Sequence, residues 1–142
     1  MRAKTSRLGA APGTSLWIVA GLAMGPVVAL GLARFAYALL LPAMRSDLGW
    51  SYANAGAMNT ANAVGYLGGA LLAAPLARRF GVKQTFLAGI LITAAGIGAS
   101  GLSGHFGLLM CLRVLTGVSG ALAFVAGGSM AAVVAGDAAR AP

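Results

Sequence analysis

The sequence predicts an all-α integral membrane protein with four transmembrane helices, and three observations carry this prediction. Hydrophobic residues make up 59% of the 142 residues and charged residues only 8%, against about 45–50% and about 25% in soluble domains. Residues 84–112 and 114–136 contain no acid, lysine or arginine. The 22 glycines would weaken soluble helices but are common in membrane helices, whose backbones approach closely. The spans must be helical, because an open sheet leaves unpaired edges in hydrocarbon.

Short polar segments divide the chain into pieces long enough to cross a bilayer, which takes about 20 mostly apolar residues. A basic tail at 1–15 is expected to be cytoplasmic, and so is the polar end at 135–142. Within the transmembrane region 16–134, the predicted spans are residues 16–41, 53–76, 85–102 and 106–134. The turn between the third and fourth spans is short, so these helices are predicted to be antiparallel neighbours. Trp50 and Tyr52 are expected to anchor the first loop at the membrane interface.

Basic residues are distributed unequally between the two sides of the membrane. With the N-terminus inside, one outer loop residue is basic, Arg45, whereas seven basic residues lie in cytoplasmic segments. Enrichment of Lys and Arg in cytoplasmic segments sets topology, so both termini are predicted to be cytoplasmic. The net charge of +8 forms no continuous basic stripe, and the expected partner is the lipid bilayer, not nucleic acid. The seven basic residues of the predicted cytoplasmic segments are Arg2, Lys4, Arg7, Arg78, Arg79, Lys83 and Arg140.

Two further arginines, Arg34 and Arg113, lie inside predicted spans. A rise of about 1.5 Å per residue places Arg113 about 10 Å below the outer surface and Arg34 closer to it. A guanidinium keeps its charge and is costly in lipid unless partners or water surround it. We therefore expect Arg113 to face a cavity. For Arg34, snorkelling to the interface and facing the cavity are equally good interpretations.

Polar side chains in the second span lie at a depth similar to that of Arg113. Asn59, Asn62 and Tyr66 are spaced i, i+3 and i+7, which places them on one face of a helix. They are candidates for lining a substrate cavity with the two arginines, but hydrogen bonds to neighbouring helices would explain them equally well. No carboxylate lies in a predicted span. The arginines therefore favour an anionic or zwitterionic ligand, or an acid on helices outside this chain.

Small residues and the absence of reactive groups complete the prediction from composition. Gly65, Gly69, Gly117 and Gly120 are candidate helix-packing positions. His105 has no second His or Cys nearby, so no metal site is expected. With no acid, His–Cys cluster or nucleophile–base pair in a span, the sequence predicts neither an enzyme nor a cofactor.

Two motifs resemble those of the major facilitator superfamily. "PLARRFGVKQ" resembles its loop signature G-x-L-A-D-R-x-G-R-K, with Arg79, Gly81 and Lys83 on matching positions and Arg78 where the acid usually stands. "RVLTGVSGA" resembles its fourth-helix motif through Arg113 and a glycine four residues later. The stretch "GLARFAYALLLPAMRSDLGWSYANAGAMNTANAVGYLGGALLA" is similar to the YbfB/YjiJ branch.

The resemblance implies a proton-coupled secondary transporter of the bacterial inner membrane that moves a small organic solute. The four helices would be the first four of a twelve-helix fold, with the first and fourth lining the central cavity. The family's fourth-helix arginine is associated with proton coupling, which gives that role to Arg113. The loop motif would latch the halves of the protein, although Arg78 replaces the acid that a salt bridge would need.

The chain is accordingly expected to be an N-terminal fragment whose end is a truncation point. The alternative is a non-transporting four-helix membrane protein that acts only by assembling with other subunits. Further apolar segments encoded downstream would favour a transporter, and a stop followed by unrelated sequence would favour the alternative. The sequence predicts no oligomeric state.

Overall fold

A computed structural model of the protein describes residues 37–139 together with Gly21 and Phe35. All of the described elements are helices: α1 (Tyr37–Asp47), α2 (Tyr52–Phe80), α3 (Val82–Ser100) and α4 (Phe106–Ala139). Three stretches, α2, α3 and Phe106–Val134 of α4, are long and apolar enough to cross a membrane. Most of the predicted first span, with Arg34, lies outside the described residues, as do the basic tail and residues 140–142.

The helix that ends the first span continues past the predicted boundary at residue 41. It runs through Pro42 and stops at Asp47, where Gly49 takes a φ of +65°. The N–H of Trp50 donates to the carbonyl of Arg45 at 2.9 Å, which is the hydrogen bond of a helix end closed by a left-handed glycine. The prediction placed the end of the first span where the apolar residues stop. Helix α1 continues beyond that point because its backbone hydrogen bonds do not require apolar side chains.

Local capping sets the ends of the other helices. Ser51 begins α2 by accepting a hydrogen bond from the N–H of Asn54 at 3.1 Å, and Gly81, with a φ of +92°, separates α2 from α3. The ring Nδ1 of His105 accepts a hydrogen bond from the N–H of Leu108 at 3.4 Å and so caps the start of α4. These positions match the preference for side-chain acceptors at helix starts and for glycine between helices.

Trp50 differs from the expectation of an interfacial anchor. Its side chain is only 8% exposed, and its ring meets that of Phe106 edge-to-face with centroids 5.5 Å apart. Trp50 forms a small core with Met58 and Leu109, because the turn before α2 packs against the start of α4. Tyr52 remains 80% exposed.

The backbones of α2 and α4 approach closely along two glycines of α2. A Cβ atom at Gly65 would overlap the carbonyl oxygen of Val114, and one at Gly69 would overlap that of Val118. Hydrophobic burial does not drive helices together in lipid, so association depends on close packing between small residues. The glycines of α2 permit that packing here.

Small residues of α4 and α3 complete the same arrangement. A Cβ atom at Gly117 would overlap the carbonyl oxygen of Asn62, so α4 also contributes a glycine to its contact with α2. On the other side, a Cβ atom at Gly89 of α3 would lie 2.7 Å from the carbonyl oxygen of Ser119. Gly120 is buried on α4 as well. Therefore α4 lies between α2 and α3 and contacts both.

We predict that Gly65→Ala destabilises the protein, whereas Gly68→Ala, one turn along the same helix, does not. The new methyl group at residue 65 meets the α4 backbone, and overpacking of this kind costs about 1–3 kcal/mol. A Cβ atom at Gly68 meets nothing within 4 Å, and alanine is the better helix former by about 1 kcal/mol. Thermal unfolding of the two variants in the same detergent measures the difference. Equal unfolding midpoints would contradict the tight α2–α4 contact.

Candidate functional site

A cavity of about 620 Å³ opens at one end of the helices, between the end of α1, the turn from α3 to α4, and the first turns of α4. Its volume lies in the range of small-molecule sites, about 300–1,000 Å³. The described residues that line it are Leu40, Met44, Asp47, Leu48, Ile97, Ser100, Gly101, Leu102, Ser103, Gly104 and Arg113. Most of these side chains are apolar, and two of them carry opposite charges.

Arg113 is the buried charge of this cavity. It lies two turns into α4, and only 5% of its surface is exposed. A permanently charged guanidinium at this depth of a membrane protein is expensive unless it faces a hydrated or polar space. Arg113 lines the cavity, which gives its side chain an open space on one side.

Asn62 fixes the α4 backbone at the level of Arg113. Its side-chain Nδ2 donates to the main-chain carbonyl of Arg113 at 3.1 Å and lies 3.4 Å from the hydroxyl oxygen of Thr116. That hydroxyl also donates to the carbonyl of Arg113, at 3.2 Å. Asn62 is 7% exposed and does not line the cavity, so its amide joins two helices.

The other polar candidates of the second span are not brought to the cavity. Asn59 is exposed on α2. Tyr66 is half-buried, and its ring lies 6.5 Å from that of Phe124. Asn59, Asn62 and Tyr66 lie on one helix face by their spacing, but the structure does not bring them together in one site. Arg34 lies outside the described residues, so its part in the site stays a prediction.

A second pair of buried polar groups joins α3 to α4. The hydroxyl oxygens of Thr93 and Ser119 are 2.8 Å apart, and both side chains are at most 1% exposed. Ser119 also donates to the carbonyl of Leu115 at 2.9 Å. Because a hydroxyl has one proton, Thr93 is then the donor to Ser119. One polar contact from each neighbouring helix thus holds α4.

Asp47 is the cavity residue that sequence reasoning missed. It is the last residue of α1 and lines the same cavity as Arg113. Asp47 lies six residues beyond the predicted end of the first apolar span, in a segment where an acid is expected to be solvated. The signal that points to it is the composition, because only two acids occur in the chain.

The loop that carries the family motif lies at the opposite end of α3 from the cavity. Gly81 makes the break between α2 and α3, and Arg78, Arg79 and Lys83 are exposed around it. The guanidinium carbon of Arg79 lies 5.4 Å from the ring centroid of Phe80. The motif and the cavity therefore occupy different ends of the structure.

Helices of membrane-spanning length that pack around a buried arginine and a cavity define a helical integral membrane protein. The chain matches the family described as "uncharacterised MFS-type transporter YbfB" over residues 26–142. It therefore belongs to this family of major facilitator superfamily transporters, which confirms the resemblance seen in the sequence motifs.

A curated relative is a chloramphenicol resistance protein from Streptomyces lividans. It is 35% identical to this chain over 95 residues, which cover 67% of the chain and 24% of the relative. The chain thus corresponds to about a quarter of the length of that protein. No solved structure matches the chain.

We predict that Asn62→Ala lowers stability by about 1 kcal/mol, close to the measured range for hydrogen bonds between membrane helices. The substitution removes the side-chain donor to the carbonyl of Arg113 and leaves a gap at the α2–α4 contact. Asn59→Ala is the matched control, since Asn59 is exposed on the same helix and exposed substitutions stay within about 0.5 kcal/mol. Reversible unfolding in detergent compares them. Equal losses would show that Asn62 does not hold the helices together.

Proposed function

We propose that the chain is the N-terminal part of a secondary active transporter that moves a small organic solute, coupled to protons, across the bacterial inner membrane. Membership of a transporter family supports transport. The observation that carries the proposal for this site is the burial of Arg113 beside a cavity of small-molecule size. The role of the family's fourth-helix arginine supports proton coupling through the same residue.

The cavity supports a cargo with a substantial apolar part. Leucine, isoleucine and methionine side chains make most of its walls, and mostly apolar walls with a few placed polar groups are typical of small-molecule sites. The name of the curated relative, a chloramphenicol resistance protein, favours movement of a small organic compound out of the cell. Export is therefore the direction we propose.

Contacts around α4 favour a cycle in which α2, α3 and α4 move as one body. Buried polar contacts hold α4 to both neighbours, and glycines bring the backbones together. Transporters of this kind work by rocking one helix bundle against another around a central site. The second bundle belongs to the rest of the full-length protein, of which this chain is proposed to be the beginning.

In the full-length protein, Arg113→Lys is expected to reduce transport about tenfold or more, because lysine cannot reproduce the planar, multiple hydrogen bonding of a guanidinium. Everted membrane vesicles with an imposed pH gradient measure uptake of a panel of small organic solutes that includes chloramphenicol. Arg34→Lys is expected to impair uptake less.

Arg45→Lys is the control for that experiment, since Arg45 lies outside the cavity lining and its guanidinium carbon stands 4.1 Å from the ring centroid of Tyr52. It should transport like the unmodified protein. Uptake that ignores the pH gradient would contradict proton coupling. Wild-type uptake by Arg113→Lys would contradict the proposed role of the arginine.

The proposed orientation predicts opposite labelling of the two loops. Cys111 is the single cysteine of this chain, so Cys111→Ala, with any cysteine in the rest of the full-length protein also replaced, supplies a background without thiols. In that background, Ser103→Cys in the α3–α4 turn should react in intact cells with a membrane-impermeant maleimide, because this turn is proposed to face outward. Lys83→Cys should react only after the cells are opened. The reverse pattern would overturn the orientation.

A further inference from the structure

The cavity has one charged group of each sign among its described lining residues. Arg113 is deep, with 5% of its surface exposed, whereas Asp47 is exposed at the end of α1. They come from different helices, and the cavity reaches both. The two charges therefore mark an inner, positive end and an outer, negative end of one space.

Asp47 does not stabilise α1. A carboxylate at the last residue of a helix stands at the negative end of the helix dipole, where it is unfavourable. Within the described residues, Asp47 forms no ion pair. The nearest basic residue along the chain, Arg45, places its guanidinium over the ring of Tyr52. A ligand cation at this rim would be favoured by both the carboxylate and the helix end.

The remaining polar side chains of the cavity are engaged within the protein. The hydroxyl of Ser100 donates to the carbonyl of Gly96 at 2.8 Å, and the hydroxyl oxygen of Ser103 accepts a hydrogen bond from the N–H of His105 at 3.2 Å. Between the two charges the walls are apolar, with Leu40 on one side and Ile97 on another. Besides these two serines, the polar side chains among the described lining residues are the two charged ones, Asp47 and Arg113.

We propose that this cavity binds a zwitterionic small molecule with an apolar body, its anionic group towards Arg113 and its amine towards Asp47. The proposal rests on the proposed function and names its substrate class. A ligand with only an anion leaves the acid at the rim without a favourable partner group, and a ligand with only a cation meets the field of Arg113. A neutral ligand displaces water from both charges without replacing the lost interactions.

Three probes that share a phenylpropyl body test this class: 4-[4-(aminomethyl)phenyl]butyrate, which carries its two charges at opposite ends, 4-phenylbutyrate and 4-propylbenzylamine. The full-length protein in lipid nanodiscs is titrated with each probe, and nanodiscs without protein correct for partition into lipid. The zwitterion is expected to bind about tenfold or more tightly than either singly charged probe, as one charged hydrogen bond is typically enough for that factor.

Two substitutions should change selectivity in different ways. Asp47→Asn should weaken the zwitterion about tenfold and leave 4-phenylbutyrate unchanged or tighter, because the rim then no longer repels an anion. Arg113→Gln should weaken both probes that carry a carboxylate and spare the amine. The controls are Arg45→Gln, and Asp137→Asn near the opposite end of α4, and both should bind all three probes like the unmodified protein.

Equal affinity for the zwitterion and 4-phenylbutyrate would overturn the proposal and make the cavity an anion site. An unchanged preference of Asp47→Asn for the zwitterion over the singly charged probes would also overturn it. Binding of 4-phenylbutyrate by this variant shows that the variant is folded. The test therefore holds even if Arg113→Gln does not fold. The outcome is separable from transport. Selective binding without pH-driven uptake would contradict the proposed transport function alone, and uptake without charge selectivity would contradict the ligand class alone.

Discussion

The close approach of α4 to α2 is the constraint on which the position of the cavity arginine depends. Helices in lipid gain little from burying apolar side chains against one another, so backbone packing and interhelical hydrogen bonds must hold them. Glycines at the α2–α4 contact bring the main chains so near that a methyl group would overlap a carbonyl oxygen. Only at this separation does the short side chain of Asn62 reach the main-chain carbonyl of Arg113.

The same close packing gives most polar residues inside the helices a structural role. Asn62, Thr93, Thr116 and Ser119 are all buried, and their side chains form hydrogen bonds with the helix backbone or with one another. They hold α4 in place between its neighbours. The polar chemistry of the cavity is thereby concentrated in two charged residues, Arg113 and Asp47.

The arrangement separates the cavity from the loop motif. The cavity lies by the turn that joins α3 to α4, and Gly81 with its exposed basic neighbours lies at the other end of α3. Under the transport function proposed above, α3 would connect the cavity with the loop motif at the opposite surface.

The sequence by itself determined the helical membrane class, the family, and the presence of one arginine inside an apolar segment. Each depends on local features: apolar runs of spanning length, two short motifs, and a charge such as Arg113 inside an apolar segment. The predicted spans leave residues 77–84 between the second and third helices, whereas the structure reduces this break to Gly81. The sequence placed Asn59, Asn62 and Tyr66 on one helix face, but that geometry does not say which residues a neighbouring helix covers.

Only the tertiary structure decided which of these residues meet. It placed Asn62 against the α4 backbone, left Asn59 exposed, and buried Trp50 beside Phe106. It also brought Asp47, which lies outside every predicted span, to the same cavity as Arg113. The physical reason is that burial and partnership depend on how separate helices approach, and that approach depends on contacts between residues far apart in the chain.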